Sequence, residues 1–328
     1  MSILVAGAGG FIGGFLANAL SSRAPVRCVD KKPIPEWWQR SPHTENLCLD
    51  MSIPGNCRRA CEGMTEIYNL AADMGGIGFI ERFRVECMRS VLINTNLLDA
   101  AYHAGCNRYF FSSSACAYST LRQQDPNIVS LKESDAYPAM AERGYGWEKI
   151  YSEMVCHEYL VERGMNTRVA RFHNVYGHHG EWKGGREKAP AAICRKVAEA
   201  KLSGNHHINI WGDGNQTRSF CWIDDCIRGI QSIMDGDYAD PVNLGSSELV
   251  TINQLVDIVE EIAGVKLTRS YDLSAPKGVA GRNSDNTEFR RRYGWEPSLS
   301  LRDGLATLYV WIEDQVRKGL TINEKERP

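Results

Sequence analysis

Apolar residues recur along this chain in short unbroken runs separated by stretches of helical spacing. "SILVAGA" (2–8) has strand length and no polar interruption, and "FIGGFLANALSS" (11–22) then repeats apolar residues on one helical face. "PVRCVD" (25–30), "TEIYNLAA" (65–72), "NRYFFSSS" (107–114) and "NTRVARFH" (166–173) predict further strands. "RSVLINTNLLDAAYHAG" (89–105), closed by Gly105, and "YGWEKIYSEMVCHEYLVERG" (145–164) predict helices. Strands that read as continuous apolar runs are buried on both faces. Alternating with helices, they imply an α/β fold whose parallel sheet is doubly wound.

Beyond residue 175 the pattern is less regular. A glycine-rich charged loop (177–188) precedes a helix at about 189–201, short strands near 207–211 and 242–244, and helices near 251–263 and 301–318. Cys194 and Cys226 sit within apolar helical patterns, "APKGVAGRNSDN" (275–286) is a loop, and the tail "LTINEKERP" is expected to be a solvated end. The expected division is a first unit over 1–174 with a return segment at about 216–240. A smaller mixed α/β unit over 175–215 and 241–328 would then complete it.

Composition narrows the classes. With 328 residues, 43% hydrophobic and 24% charged, the chain is long enough for one large core or two domains. A net charge of -2 offers no footprint for nucleic acid, and no apolar run has the roughly 20 residues that span a bilayer. The first residues are a strand and a glycine turn, not a leader with a basic stretch. The 11 cysteines are scattered without metal-ligand spacing, so no metal is expected, and reduced thiols in the cytoplasm are the natural setting. "GHHG" and "NHHI" are expected to be solvated loops.

Chemistry enters at "GAGGFIG". Gly7, Gly10 and Gly13 stand between a strand and a helix, where glycine lets the backbone approach a pyrophosphate and the helix N-terminus meets its charge. Phe11 and Ile12 open that helix. Asp30, closing the second strand, can accept hydrogen bonds from an adenosine ribose and would repel a 2′-phosphate, favouring NAD over NADP. Lys31 and Lys32 soften that preference. Asp50, ending the next expected strand, lies where an adenine would sit, and Leu70, within the expected strand 65–72, is taken as a further cofactor contact. A Rossmann-type dinucleotide site is the expectation.

Tyr145 and Lys149 of "YGWEK" share one helix face, where a lysine ammonium would draw the phenol's pKa from about 10 toward neutrality. Tyr145 is then a base for a sugar hydroxyl, with Ser114 of "SSSA" bonded to the same hydroxyl. Here the chain resembles the extended short-chain dehydrogenase/reductase family. "NLAADMGGIGFI" (69–80), "SSSACAY", "RFHNVYG…WKGGREKAPAAICRK" (171–196), "WGDGNQTRSF" (211–220) and "GRNSDN" (281–286) resemble its GDP-mannose 3,5-epimerase branch.

The resemblance implies NAD-dependent oxidation at C4 of a nucleotide-sugar hexose, GDP-mannose or a related substrate, inversion at C3 and C5, and reduction back to give GDP-L-galactose or GDP-L-gulose. Inversion needs acid–base groups on both ring faces, and the resemblance assigns them to Cys116 and Lys188. A thiol of pKa about 8.5 can be tuned to trade protons, and a lysine can donate or, once buried, accept. It further implies that Gly75 and Gly76 let backbone approach the sugar. Asn174, Glu187, Ala189, Lys196, Gln216 and Arg218 would hold hydroxyls and phosphates, and Arg282 would clamp the pyrophosphate. A homodimer is also implied. The match thins at "AYSTLRQQDPNIVS" after Cys116, at "KLSGNHHI", and at the arginine-rich "ERFRVECMRS" (81–90), which is expected to line the sugar or base pocket.

Three rivals share parts of this pattern. A 4,6-dehydratase needs an acidic pair after the serine position, where Ala115 and Cys116 stand. A 4-epimerase needs no cysteine–lysine pair. A non-catalytic NAD-sensing regulator needs neither that pair nor the tyrosine and lysine. The other cysteines read as small buried hydrophobes.

Overall fold

The computed structural model describes residues 1–325. Its centre is a parallel sheet built from β1 (Ile3–Ala6), β2 (Val26–Asp30), β3 (Thr44–Cys48), β4 (Glu66–Asn69), β5 (Arg108–Ser114) and β6 (Asn166–Phe172), with a seventh strand arriving later in the chain. Between them run α1 (Phe11–Leu20), α2 (Pro54–Cys61), α3 (Ile77–Arg82), α4 (Arg84–His103) and α5 (Tyr145–Arg163). Ile3 and Val5 of β1 pack into one apolar core, while Leu4 and Ala6 pack into another on the opposite face. The pleat thus explains the unbroken apolar run: alternate side chains serve two different layers.

Next come β7 (Val175–Tyr176), α6 (Ala189–Ser203), β8 (His207–Trp211), β9 (Thr217–Ser219), β10 (Cys221–Trp222), α7 (Ile223–Asp235) and β11 (Val242–Leu244). They are followed by β12 (Leu249–Thr251), α8 (Ile252–Ala263), β13 (Thr268–Asp272), β14 (Gly281–Arg282), α9 (Thr287–Tyr293) and α10 (Leu301–Lys325). The large sheet has the order β11-β6-β5-β4-β1-β2-β3 with every pair parallel. Strand order reverses between β1 and β4, which opens a crevice at their carboxyl ends. The smaller pairings are β12-β9-β14, β13-β8 and β10-β7.

Several expectations shift. The return to the large sheet runs through Leu244 rather than stopping at 240, because β11 is its edge strand, while β9 belongs to a small sheet. The arginine-rich stretch 81–90 is helical, with a break at Phe83 between α3 and α4. Its arginines lie on helices beside the main cavity, and Arg84 lines a neighbouring cleft instead. The expected solvated tail continues α10 to Lys325, and 326–328 lie outside the described residues. Strands of two or three residues such as β7, β10 and β14 carry no periodicity of their own, so pairing partners alone create them.

A buried polar knot holds α5 against the sheet. Arg171 of β6 gives two hydrogen bonds to Glu153 of α5, at 3.0 and 2.7 Å, and a third at 2.7 Å to the Glu133 carbonyl. Ser113 of β5 donates to the same Glu153 carboxylate. Breaking such a pair leaves a charge buried alone, at a cost of about 3–5 kcal/mol. Because α5 begins at Tyr145, this knot also fixes where the phenol sits.

Candidate active site

The glycine turn is closed to side chains. Gly7 has φ +85°, and a Cβ placed on Gly13 would lie 2.1 Å from the Gly7 carbonyl oxygen. A Cβ on Gly7 would meet the Leu70 backbone at 2.8 Å, so Leu70 acts as the wall of the turn. Gly10 caps α1 without a side chain, and no acidic residue occupies the first turn with Phe11 and Ile12, so its amide groups face an electropositive opening. Asp30 accepts from the Lys32 amide at 2.9 Å through one oxygen, leaving the other for a ribose. Lys31 is drawn to Asp73 at 2.6 Å and Lys32 to the Gly9 carbonyl at 3.3 Å. Asp50 lies two residues past β3 and accepts from the Ser52 amide at 2.8 Å. Burial pushes its carboxyl up, but those hydrogen bonds and the nearby Lys31 and Arg89 outweigh it and hold it low. These residues fit a dinucleotide whose pyrophosphate rests on bare backbone.

A cavity of about 260 Å³ lies beyond the ends of β4, β5 and β6. Ser114, Cys116 and Tyr145 line it from the first layer. Glu187, Lys188, Ala189 and Lys196 line it from α6 and the loop before it, and Gln216, Arg218 and Arg282 from the small sheet. Gly75, Gly76 and Asn174 complete the expected set, so residues spread over more than 200 positions of sequence share one wall.

Cys116 sits in a 3-10 turn (Ala115–Ala117), and its amide donates to Ser114 Oγ at 3.2 Å. Its Sγ accepts from Arg282 Nη1 at 3.3 Å. Burial, followed by the Glu142 carboxylate, pushes the thiol up to about 11 despite that guanidinium. Lys188 moves the other way, because burial disfavours its ammonium. The usual order of thiol and amine is thus reversed, the thiol holding its proton more tightly than the ammonium.

Tyr145 departs from expectation. Burial raises its phenol well above the ordinary value, and Cys116 and Glu148 add to this. Lys149 does lie on the same face, but its Nζ rests 3.4 Å from Glu148 Oε2 and over the rings of Phe111 and Tyr145 at 4.7 and 5.3 Å. Its charge is shared with a buried carboxylate, so the expected fall toward neutrality is absent. Ser114 still offers the phenol a hydrogen bond.

Arg282 already has partners. Its Nε donates to Gln123 at 2.6 Å, Nη1 to Cys116, and Nη2 to Glu142 at 2.8 Å. Three of its five N–H groups are thus engaged within the protein, which leaves two for a ligand. Arg218 has no carboxylate within ion-pair distance among the described residues and points its nitrogens at the Thr217, Lys277, Val279 and Ala280 carbonyls. Burial and the Arg282 charge bring it down to about 10, leaving Arg218 the cation an anionic group would most relieve.

Gly75 and Gly76 have a different reason to be glycine. A Cβ on Gly76 would lie 2.3 Å from the Glu187 carbonyl, so the 184–188 loop, rather than a sugar, demands the space. Glu187 itself is held by Arg195 at 3.1 Å and by the Gly185 amide at 2.6 Å. Lys196 donates to the Asn209 carbonyl at 2.7 Å, Gln216 to the Trp211 carbonyl at 2.9 Å, and Asn174, at φ 41°, to the Ser219 carbonyl at 3.2 Å. The Gln216 side-chain oxygen is buried without a partner, which leaves an acceptor for a ligand hydroxyl. Glu142, Gln123, Trp211 and Arg195 were not foreseen. Trp211 and Arg195 lie within the 211–220 and 171–196 stretches but carried no assigned role there, Glu142 and Gln123 lie outside them, and tertiary contact reveals the part each plays.

The stretch after Cys116, where the sequence match thins, positions Arg282. The Gln123 carbonyl accepts from the Ala280 amide at 2.9 Å, the Pro126 carbonyl accepts from Thr217, and the Leu131 amide donates to Asn283. These contacts hold β14 beside Cys116.

Residues 3–245 match the NAD dependent epimerase/dehydratase family. The chain is 41% identical to GDP-mannose 3,5-epimerase 1 of Oryza sativa subsp. japonica, over 98% of this chain and 84% of that one. It is 40% identical to GDP-mannose 3,5-epimerase of Arabidopsis thaliana, over 97% and 84%. The fold is similar to that of UDP-glucose 4-epimerase from Thermotoga maritima, with TM-score 0.85 and 22% identity over 96% of this chain and 100% of that one. The chain belongs to the NAD dependent epimerase/dehydratase family.

Proposed function

We propose that this protein inverts a nucleotide sugar, GDP-mannose, at C3 and C5. The observation that carries the reading is the meeting of Cys116 and Lys188 with Tyr145 around one cavity. The glycine turn at Gly7, Gly10 and Gly13, with Asp30, would hold NAD, which would supply a hydride acceptor and, once reduced, a hydride donor for C4. Tyr145 takes the C4 hydroxyl proton as its phenolate, a form that a cationic nicotinamide beside Lys149 would favour against the burial that otherwise keeps the phenol protonated, and Ser114 holds the same oxygen. The resulting C4 ketone delocalises negative charge from C3 or C5, so either carbon gives up its proton to a nearby base. In the resting site Lys188, its ammonium destabilised by burial, is the base, and the protonated thiol of Cys116 is the acid on the other face. Arg282 stabilises the thiolate that forms. Arg218 holds a phosphate of the nucleotide.

Purified protein incubated with GDP-mannose in D₂O tests this by NMR. Deuterium at C3 and C5 with L-galacto or L-gulo products supports it; a 4-keto-6-deoxy product or an unlabelled C4 epimer overturns it. If GDP-mannose stays unlabelled while another nucleotide sugar is labelled, the reaction stands and the substrate falls.

The protein is also read as a cytoplasmic homodimer. Its 11 cysteines are all unpaired, which supports a reducing compartment. Val85, Met88 and Leu92 of α4 and Trp147, Tyr151 and Met154 of α5 stand exposed at helical spacing on two packed helices. A two-fold axis would bury this stripe against its own copy. Tyr151→Asp is expected to convert a dimer to a monomer in light scattering; a wild-type monomer at micromolar concentration would refute the assembly.

A further inference from the structure

The inversion just proposed leaves Cys116 as a thiolate, whose proton has to be returned before the next turnover. Glu142 is placed to do this. Arg282 bridges the two groups, with Nη1 3.3 Å from the sulfur and Nη2 2.8 Å from Glu142 Oε1. The Glu142 amide also donates to the Cys116 carbonyl at 3.1 Å, so backbone as well as side chain holds the two residues together. Glu142 belongs to two spaces at once. It lines the cavity that contains Cys116 and Lys188, and it lines a second cleft of about 450 Å³ with Arg84, Thr120, Gln124 and Arg143. Cys116 touches only the first.

We propose that Glu142 is the relay through which Cys116 exchanges its proton with water in the second cleft. The inference rests on the function proposed above. When Cys116 gives its proton to carbon, the S–H bond breaks, a C–H bond forms, and the sulfur keeps the electron pair. The new thiolate is a like charge beside Glu142, so the carboxylate binds a proton from cleft water more readily. It passes that proton to sulfur and returns to the carboxylate. Lys188, half-buried, releases the proton it took from the sugar to water at the cavity mouth. One proton enters and one leaves per inversion. At rest, burial favours a neutral Glu142, but the Arg282 charge outweighs it and holds the carboxyl low, which keeps the resting proton on sulfur.

Glu142→Gln separates this from the reaction itself. The variant should retain NAD and should still reduce it on mixing with the nucleotide sugar, seen as near-ultraviolet absorbance of the reduced nicotinamide. Deuterium uptake at C3 and C5 should fall roughly ten- to a hundredfold, below the full acid–base contribution because the thiol remains. Glu142→Asp should recover part of the loss, and formate added to Glu142→Ala should recover more by occupying the vacated space. Uptake as fast as in wild type would overturn the relay. Loss that neither Glu142→Asp nor formate restores would also overturn it, and would assign Glu142 to holding Arg282 alone.

A substrate-free measurement keeps the relay distinct from the parent reading. Alkylation of Cys116, followed by mass spectrometry against pH, reports its ionisation. The groups facing the sulfur are Glu142, Arg282, Arg218, Lys188, Tyr145 and Cys87. Removing the one carboxylate among them should move the alkylation midpoint to lower pH. An unmoved midpoint would mean that Glu142 does not act on the thiol, even if the epimerase reading holds. A moved midpoint with no exchange by wild type on any nucleotide sugar would sink the epimerase reading, and the relay with it.

Discussion

Cys116→Ala is expected to abolish deuterium exchange at C3 and C5, by roughly 10²–10⁴-fold, while leaving oxidation at C4 in place. The change removes the sulfur and its contact with Arg282, but the Ser114 bond is to the Cys116 backbone amide, and Tyr145 and the glycine turn are placed by α5 and by backbone. The variant should therefore hold NAD and reduce it on adding the nucleotide sugar, then stall. Exchange that survives at the wild-type rate would make Cys116 a packing residue. The wild-type pH profile checks the roles from another side. Lys188 acts as base only when neutral, so the rate should rise through its lowered pKa. Cys116 acts as acid only while protonated, so the rate should fall as pH approaches about 11. A rate that instead declines from neutral pH upward would reverse the two roles.

Gly13→Val is expected to remove the cofactor. The first side-chain atom would lie 2.1 Å from the Gly7 oxygen and 2.7 Å from the Gly7 carbonyl carbon, both backbone atoms with no rotamer to adopt. Overpacking of this kind costs about 1–3 kcal/mol when flexible side chains absorb it, and here backbone has to move instead. NAD released by acid from the purified variant should fall at least about a hundredfold, equivalent to about 2.7 kcal/mol of lost binding, and the melting temperature should drop with it. Gly319→Ala, in α10 with nothing within 4 Å and no positive φ, is the control that should retain NAD. Full NAD occupancy in Gly13→Val would show that the turn opens more freely than its packing implies.

The two changes probe two halves of the molecule that were unequally legible in sequence. The dinucleotide half could be read locally. An unbroken apolar run, glycines at fixed spacing and an acidic strand end all lie within the first 30 residues, and sheet burial and backbone approach act over that same short span. Tyr145 and Lys149 were legible as a pair because helix geometry alone sets i and i+4 on one face. What that proximity does to the phenol was not. The sign of the shift depends on burial and on Glu148, one residue away in sequence but turned to share the ammonium.

The substrate half was legible only as a set of names. Cys116, Lys188, Arg218 and Arg282 come from four segments, and no periodicity says which of them touch. The fold decided that Arg282 meets the thiol and Glu142, because β14 is laid against the segment after Cys116 by backbone hydrogen bonds. It also decided that Gly76 makes room for the Glu187 carbonyl. The sequence by itself determined the sheet, the dinucleotide turn and the types of acid and base available, since these follow from local periodicity and residue chemistry. Only the tertiary structure decided the protonation of Tyr145, Cys116 and Lys188 and the partners of Arg282, because desolvation and charge pairing depend on what distant segments bring to the same few ångströms.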